Sequence, residues 1–152
     1  MTYTAAEGRQ RILDALALAT DEIALALTEL SEAYEHLDEQ AGERLEEALF
    51  APVQAAYGRA KRTYSEFAER VALPARSFQT PAQAAPSKQA KQLIERALEA
   101  LVRADLGLGE LQDSMLPVEV GDAELRKGLA EVRELAERVR PRARELMRTL
   151  GR

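Results

Sequence analysis

Apolar residues recur at alternating steps of three and four in several long segments of the chain. This spacing places the apolar side chains on one side of an α-helix and is typical of a heptad seam that packs against other helices. The seams comprise Ile12, Leu16, Ala19, Ile23, Ala26, Leu30, Ala33 and Leu37, then Ala90, Ile94, Ala97, Leu101, Ala104, Leu108, Leu111 and Met115, and finally Leu125, Leu129, Val132, Ala136, Val139, Ala143, Leu146 and Leu150. Equal seams predict helices of matched length that pack side by side.

A further segment has a similar span but a less regular pattern. Its seam comprises Leu45, Leu49, Val53, Ala56, Ala60, Tyr64, Phe67 and Val71, and its steps drift toward a longer period. Pro52 lies in this helical segment and Pro141 lies in the last one, where each ring removes a backbone hydrogen bond. We expect this second helix to coil less regularly and both proline-containing helices to kink.

These segments predict one all-α domain over residues 1–152, a long antiparallel four-helix bundle of the coiled-coil type. The helices are expected over about 4–37, 40–72, 87–115 and 122–150. Their starts coincide with capping signals. These signals are Thr4 with Glu7, Ser87 after Pro86, and Gly121 with Asp122.

The connections leave the direction of the third helix open. A short turn near residues 38–42 requires the first two helices to be antiparallel neighbours, as does the loop at 116–122 for the last two. Residues 73–86, called the strap below, contain three prolines and little charge and are not expected to be helical. An up-down-up-down order is the preferred prediction. However, the extended strap is long enough to cross the whole bundle and give a crossover order instead.

Composition narrows the chemistry available to this chain. Ala, Leu, Glu and Arg dominate its 152 residues, and there is no Trp. The absence of Cys excludes disulfides, thiolate metal sites and cysteine nucleophiles, and it suits a reducing compartment. Because the N-terminus does not resemble a secretory signal and no apolar run is long enough to span a bilayer, we expect a cytoplasmic protein.

The net charge of −5 hides an uneven distribution of charge along the chain. Residues 1–50 hold 12 acidic and 3 basic residues, whereas the last helix ends in a basic run. Its arginines are Arg138, Arg140, Arg142, Arg144 and Arg148. These arginines are candidates for binding a protein partner. Nucleic acid is a weaker alternative as the partner, because no aromatic residue lies between the arginines to stack on bases. A last helix beside the first would instead pair these arginines with acidic rows.

Acidic residues near the first turn raise a second possibility. The weak metal candidates are Glu29, Glu32, Glu35, His36, Glu43, Glu46 and Glu47. Clustered carboxylates can hold Mg²⁺ against a phosphate, so a Mg²⁺-dependent phosphohydrolase remains an alternative function. The helix 1 seam nevertheless turns Glu29, Glu32 and Glu35 toward its flanks, and a solvated acidic face is the preferred interpretation.

Aromatic residues on the second helix suggest core packing, or a groove beneath the strap. They are Phe50, Tyr57, Tyr64 and Phe67, and Phe78 lies in the strap itself. No catalytic or cofactor motif is recognisable, so no cofactor is predicted. The preferred hypothesis is a non-enzymatic module for protein interaction or assembly. Self-association through a second apolar edge at Leu13, Leu27 and Tyr34 is a natural extension of it.

Overall fold

Every regular element in the described part of the chain is helical. The computed structural model describes residues 4–84, 87 and 89–150. Its elements are α1 (Ala5–Glu35), α2 (Glu39–Leu45), a π-helical turn (Glu46–Phe50), α3 (Ala51–Arg70), α4 (Ala90–Asp113), the single turn α5 (Leu116–Glu119) and α6 (Ala123–Leu150). The all-α prediction is confirmed, with helices slightly shorter than expected at most of their ends. Residues 1–3, Pro86 and Arg152 lie outside the described residues.

Two of the predicted helix starts are confirmed by their caps. The Thr4 hydroxyl accepts a hydrogen bond from the Glu7 N–H at 3.1 Å, and Asp122 Oδ1 accepts one from the Leu125 N–H at 2.8 Å. Each bond satisfies a backbone donor that the first helical turn leaves without a partner.

The predicted cap at Ser87 is wrong. Helix α4 begins only at Ala90, with Gln89 at the N-cap. The Ser87 hydroxyl instead accepts from the Gln89 N–H at 3.2 Å and lies 2.7 Å from Gln92 Oε1. Its side chain orders the approach to the helix rather than the first helical turn.

The predicted seams form the core. Their members are buried throughout α1, α3, α4 and α6 except near the ends of the seams. The less buried seam positions are Leu37, Val71, Ala90, Met115 and Leu150. Helix α1 buries a wider stripe, because it packs against both α3 and α4. That stripe includes Leu13 and Leu27, so the predicted apolar edge is wrong at these two positions, and only Tyr34 is exposed there.

The irregular second segment contains a π-helical turn from Glu46 to Phe50. It lies just before Pro52, which occupies the first turn of α3. Proline has no N–H, and its ring would press against the carbonyl one α-helical turn earlier. A wider turn relieves that contact, and it also agrees with the longer apolar period of this segment.

Ion pairs between helices fix their directions. Arg103 contacts Glu22 at 2.6 Å and Arg96 contacts Glu29 at 3.9 Å, so residue numbers rise along α4 as they fall along α1. Helix α4 is therefore antiparallel to α1. The preferred up-down-up-down order is wrong, and the crossover alternative agrees with the structure.

The strap makes this crossing along the groove between α1 and α3. Arg76 forms an ion pair with Asp21 at 2.8 Å, and the Thr28 hydroxyl donates to the Pro81 carbonyl at 2.7 Å. These contacts advance along α1 toward its C-terminal end, where α4 starts. The extended strap thus returns the chain to the end of the molecule that holds the α1–α2 turn.

Helix α6 packs chiefly against α3 and α4. Gly128 permits a close approach to α3, because a Cβ atom there would lie 2.3 Å from Thr63 Oγ1. The expected neighbourhood of the last and first helices is therefore wrong. Acidic residues of α1 pair instead with cations that include Arg103 of α4 and Arg76 of the strap.

Candidate partner-binding surfaces

Glu29 differs from the other acidic candidates because it is buried. Its side chain lies between α1 and α4, with Oε2 3.9 Å from Arg96 Nη1. This oxygen accepts no hydrogen bond from any residue that the structure describes. Burial raises the pKa of Glu29, and Arg96 opposes that effect. The prediction that Glu29 lies on a solvated flank is wrong, because α4 covers this side of α1.

The remaining acidic candidates lie on the surface around the first turn. Glu32, Glu35, Glu43, Glu46 and Glu47 are exposed, and so is His36. Glu32 lies 3.5 Å from the His36 ring. Across residues 4–84, 87 and 89–150, no three histidine or acidic side chains are placed to hold a metal ion. The geometry therefore gives the phosphohydrolase alternative no assembled metal site.

The basic run at the end of α6 divides into paired and unpaired arginines. Arg138 pairs with Glu134 at 2.8 Å, and Arg148 pairs with Glu145. The guanidinium groups of Arg140, Arg142 and Arg144 form no hydrogen bond or ion pair with any described residue. Three cations of this helix are therefore available to an anionic partner.

Two of these arginines border an apolar groove between α4 and α6. Arg140 and Arg144 lie one helical turn apart, beside half-buried Leu98, Val102 and Met147. The groove has a volume of about 520 Å³, and it also contains Glu99 and the already paired Arg103. We call the surface formed by Leu98, Val102, Arg140, Arg144 and Met147 the arginine groove. It offers apolar contact area together with guanidinium groups that can bind carboxylates.

Arg142 faces the other side of α6, where its surroundings are more balanced in charge. It lines a second groove of about 550 Å³ with Arg44, Glu47, Pro141 and Glu145. Acidic and basic side chains are both present here, so this groove has weaker selectivity for the charge of a partner than the arginine groove.

The aromatic residues behave largely as core, as expected. Tyr57, Tyr64 and Phe67 are buried, and the Phe78 ring packs edge-on against Tyr64 with centroids 4.9 Å apart. A groove of about 630 Å³ remains between the strap and α1, where Lys61 Nζ lies 4.2 Å from the Tyr57 ring centroid. The strap forms one wall of this groove, and the Tyr57 ring already has a cation beside it.

Some surface features have no clear sequence signal. Leu98, Val102 and Met147 lie beside the seams on two different helices, and only the register between α4 and α6 brings them together. Leu18 and Leu106 are 69% and 61% exposed although they lie within strongly apolar segments. The basic run at the end of α6 was the one sequence signal that pointed to the arginine groove.

Comparison with protein families, curated proteins and solved structures found no match. In the described part of the chain, the helices are too short or too polar to cross a bilayer.

Proposed function

We propose that the chain is a four-helix bundle with a crossover connection and serves as a non-enzymatic protein interaction module. In this proposal the arginine groove binds an acidic amphipathic helix of a partner. The observation that carries the proposal is the pair of unpaired arginines, Arg140 and Arg144, beside an apolar floor. Other arginines of the molecule already contact carboxylates, including Arg59, Arg70, Arg76 and Arg133.

The composition of the groove favours a helix as the ligand. Apolar residues of a partner helix would cover Leu98, Val102 and Met147, and acidic residues one turn apart would meet Arg140 and Arg144. A nucleic acid backbone supplies anions but leaves such an apolar floor uncovered. Binding of an acidic helix is therefore expected to weaken with salt without disappearing.

A fluorescence anisotropy titration tests this proposal. The probe is a labelled synthetic amphipathic helix with leucine and glutamate on one face, and a matched peptide carries lysine in place of glutamate. We expect the acidic peptide to bind and the basic peptide not to bind. The double variant R140E/R144E should weaken binding by at least about tenfold, since charge-assisted hydrogen bonds contribute about 1.5–3 kcal/mol each.

Arg62→Glu is a control for charge reversal outside the groove, because Arg62 is an exposed arginine on α3. Its binding should equal that of the unaltered chain. Equal affinity of R140E/R144E and the unaltered chain would contradict the proposed site. Tighter binding of a duplex oligonucleotide than of the acidic peptide would contradict the proposed ligand class.

A further inference from the structure

An acidic counterpart to the arginine groove exists on the same molecule. Glu39, Glu43 and Glu46 follow one another at steps of four and three, and all are exposed. The side chains of Glu43 and Glu46 form no hydrogen bond or ion pair with any residue that the structure describes. Acidic side chains this close together repel one another, and a basic surface would relieve that repulsion.

Apolar surface accompanies these carboxylates. Tyr34 is 43% exposed, and it lines a shallow groove of about 360 Å³ with Glu35, Glu46 and Phe50. Tyrosine offers a large contact area at low entropic cost, and it is enriched at the centres of protein interfaces. We define the acidic surface by Tyr34, Glu35, Glu43 and Glu46. It combines the two properties that a ligand of the arginine groove needs.

The two surfaces cannot meet within one molecule. The acidic surface lies where α1 meets α2 and the π-helical turn, whereas the arginine groove lies between α4 and α6. Because α1 packs against α4 and α3 packs against α6, these two grooves lie on opposite sides of the core. A contact between them requires a second copy of the chain.

We infer that the acidic surface of one copy occupies the arginine groove of the next copy. This inference rests on the proposed function and names the partner as the chain itself. Complementary charge identifies that partner, since unpaired glutamates beside Tyr34 match unpaired arginines beside Leu98 and Met147.

The placement of the surfaces determines the kind of assembly. Two surfaces on opposite sides cannot both be used in one twofold dimer, so the contact is heterologous and runs head to tail. A pair of copies joined by one such contact keeps one acidic surface and one arginine groove free for further copies. The assembly should therefore grow with protein concentration, and it should shrink as salt screens the charges.

Complementing variants test this arrangement by sedimentation velocity. R140Q/R144Q removes the cations of the groove and keeps the acidic surface, whereas E43Q/E46Q removes carboxylates from the acidic surface and keeps the groove. Each variant alone should be monomeric in about 50 mM salt. An equimolar mixture should form a species of twice the monomer mass and nothing larger, because it contains one functional contact per pair.

The control variant E66Q/E69Q repeats the same change of charge at the same spacing on α3, on exposed residues. It should assemble like the unaltered chain, and about 500 mM salt should dissociate both. Circular dichroism confirms that each variant is folded before it is mixed.

The outcomes separate this inference from the proposed function. An unaltered chain that stays monomeric in low salt, although it binds the acidic peptide, overturns head-to-tail assembly and leaves the interaction module standing. Assembly that survives in either variant alone overturns the assigned surfaces. Failure of both the peptide titration and the mixture overturns the two proposals together.

Discussion

Replacement of Gly128 by alanine should separate two helices that lie in close contact. A Cβ atom at this position would lie 2.3 Å from Thr63 Oγ1 and 2.7 Å from Thr63 Cγ2. Thr63 cannot easily turn away, because it is buried and its hydroxyl donates to the Arg59 carbonyl at 2.8 Å. Either this hydrogen bond breaks or α6 moves away from α3.

The expected cost follows from two opposing effects. Overpacking of a core costs about 1–3 kcal/mol, whereas alanine in a helix gains up to about 1 kcal/mol over glycine. We therefore expect Gly128→Ala to lower the free energy of unfolding by about 1–2 kcal/mol. Gly107→Ala is the control, since a Cβ atom there meets nothing within 4 Å. It should raise stability by about 0.5–1 kcal/mol.

Urea denaturation followed by circular dichroism measures both variants. Thr63→Ala removes the two nearest atoms, so the double variant with Gly128→Ala should recover part of the loss in a double-mutant cycle. A Gly128→Ala chain as stable as Gly107→Ala would refute the close approach of α3 and α6.

Three further predictions concern stability. Ala72 has a φ of 56°, a left-handed conformation just after the end of α3. Ala72→Gly should therefore stabilise the chain by about 0.5–1 kcal/mol in urea denaturation. Ala55→Gly within α3 is the control and should destabilise the chain by a similar amount. Burial raises the pKa of Glu29 above its ordinary value of 4.5. Between the pKa of the unfolded chain and the raised pKa of the folded chain, the folded chain retains a proton that the unfolded chain releases. The contribution of Glu29 to stability therefore falls as pH rises through this interval. Unfolding at several pH values should therefore show Glu29→Gln gaining stability relative to the unaltered chain as pH rises. Asp122→Ala removes both a helix cap and the ion pair with Arg70, whereas Asp38→Ala removes a helix cap alone. Asp122→Ala should therefore lower the melting temperature more than Asp38→Ala. Equal decreases in melting temperature would contradict a role for the ion pair.

The core could be predicted from the sequence because burial in a helix depends on local spacing. Leu16, Ile23 and Leu30 recur with the helical period, and whichever helix covers them, they face the core. The helical class and the caps at Thr4 and Asp122 also depend on near neighbours, and they too were predictable.

Features that depend on which helices meet were not predictable in this way. Either direction of α4 is compatible with the length of the strap, and contacts such as Thr28 with Pro81 select one. Glu29 lies beside the seam, and its burial depends on the position of α4. The arginine groove likewise depends on the register of α4 against α6, so the basic run could be seen in the sequence but its apolar floor could not.

The central claim is that the arginine groove is the binding surface for an acidic helix. Backbone amide chemical shifts of the E43Q/E46Q variant, recorded during titration with the acidic peptide, test it most directly, because this variant keeps the groove and should not self-associate. We predict that the shifts change at Leu98, Val102, Arg140, Arg144 and Met147 and remain constant along α3. Changes confined to residues outside α4 and α6, or none at saturating peptide, would contradict the account.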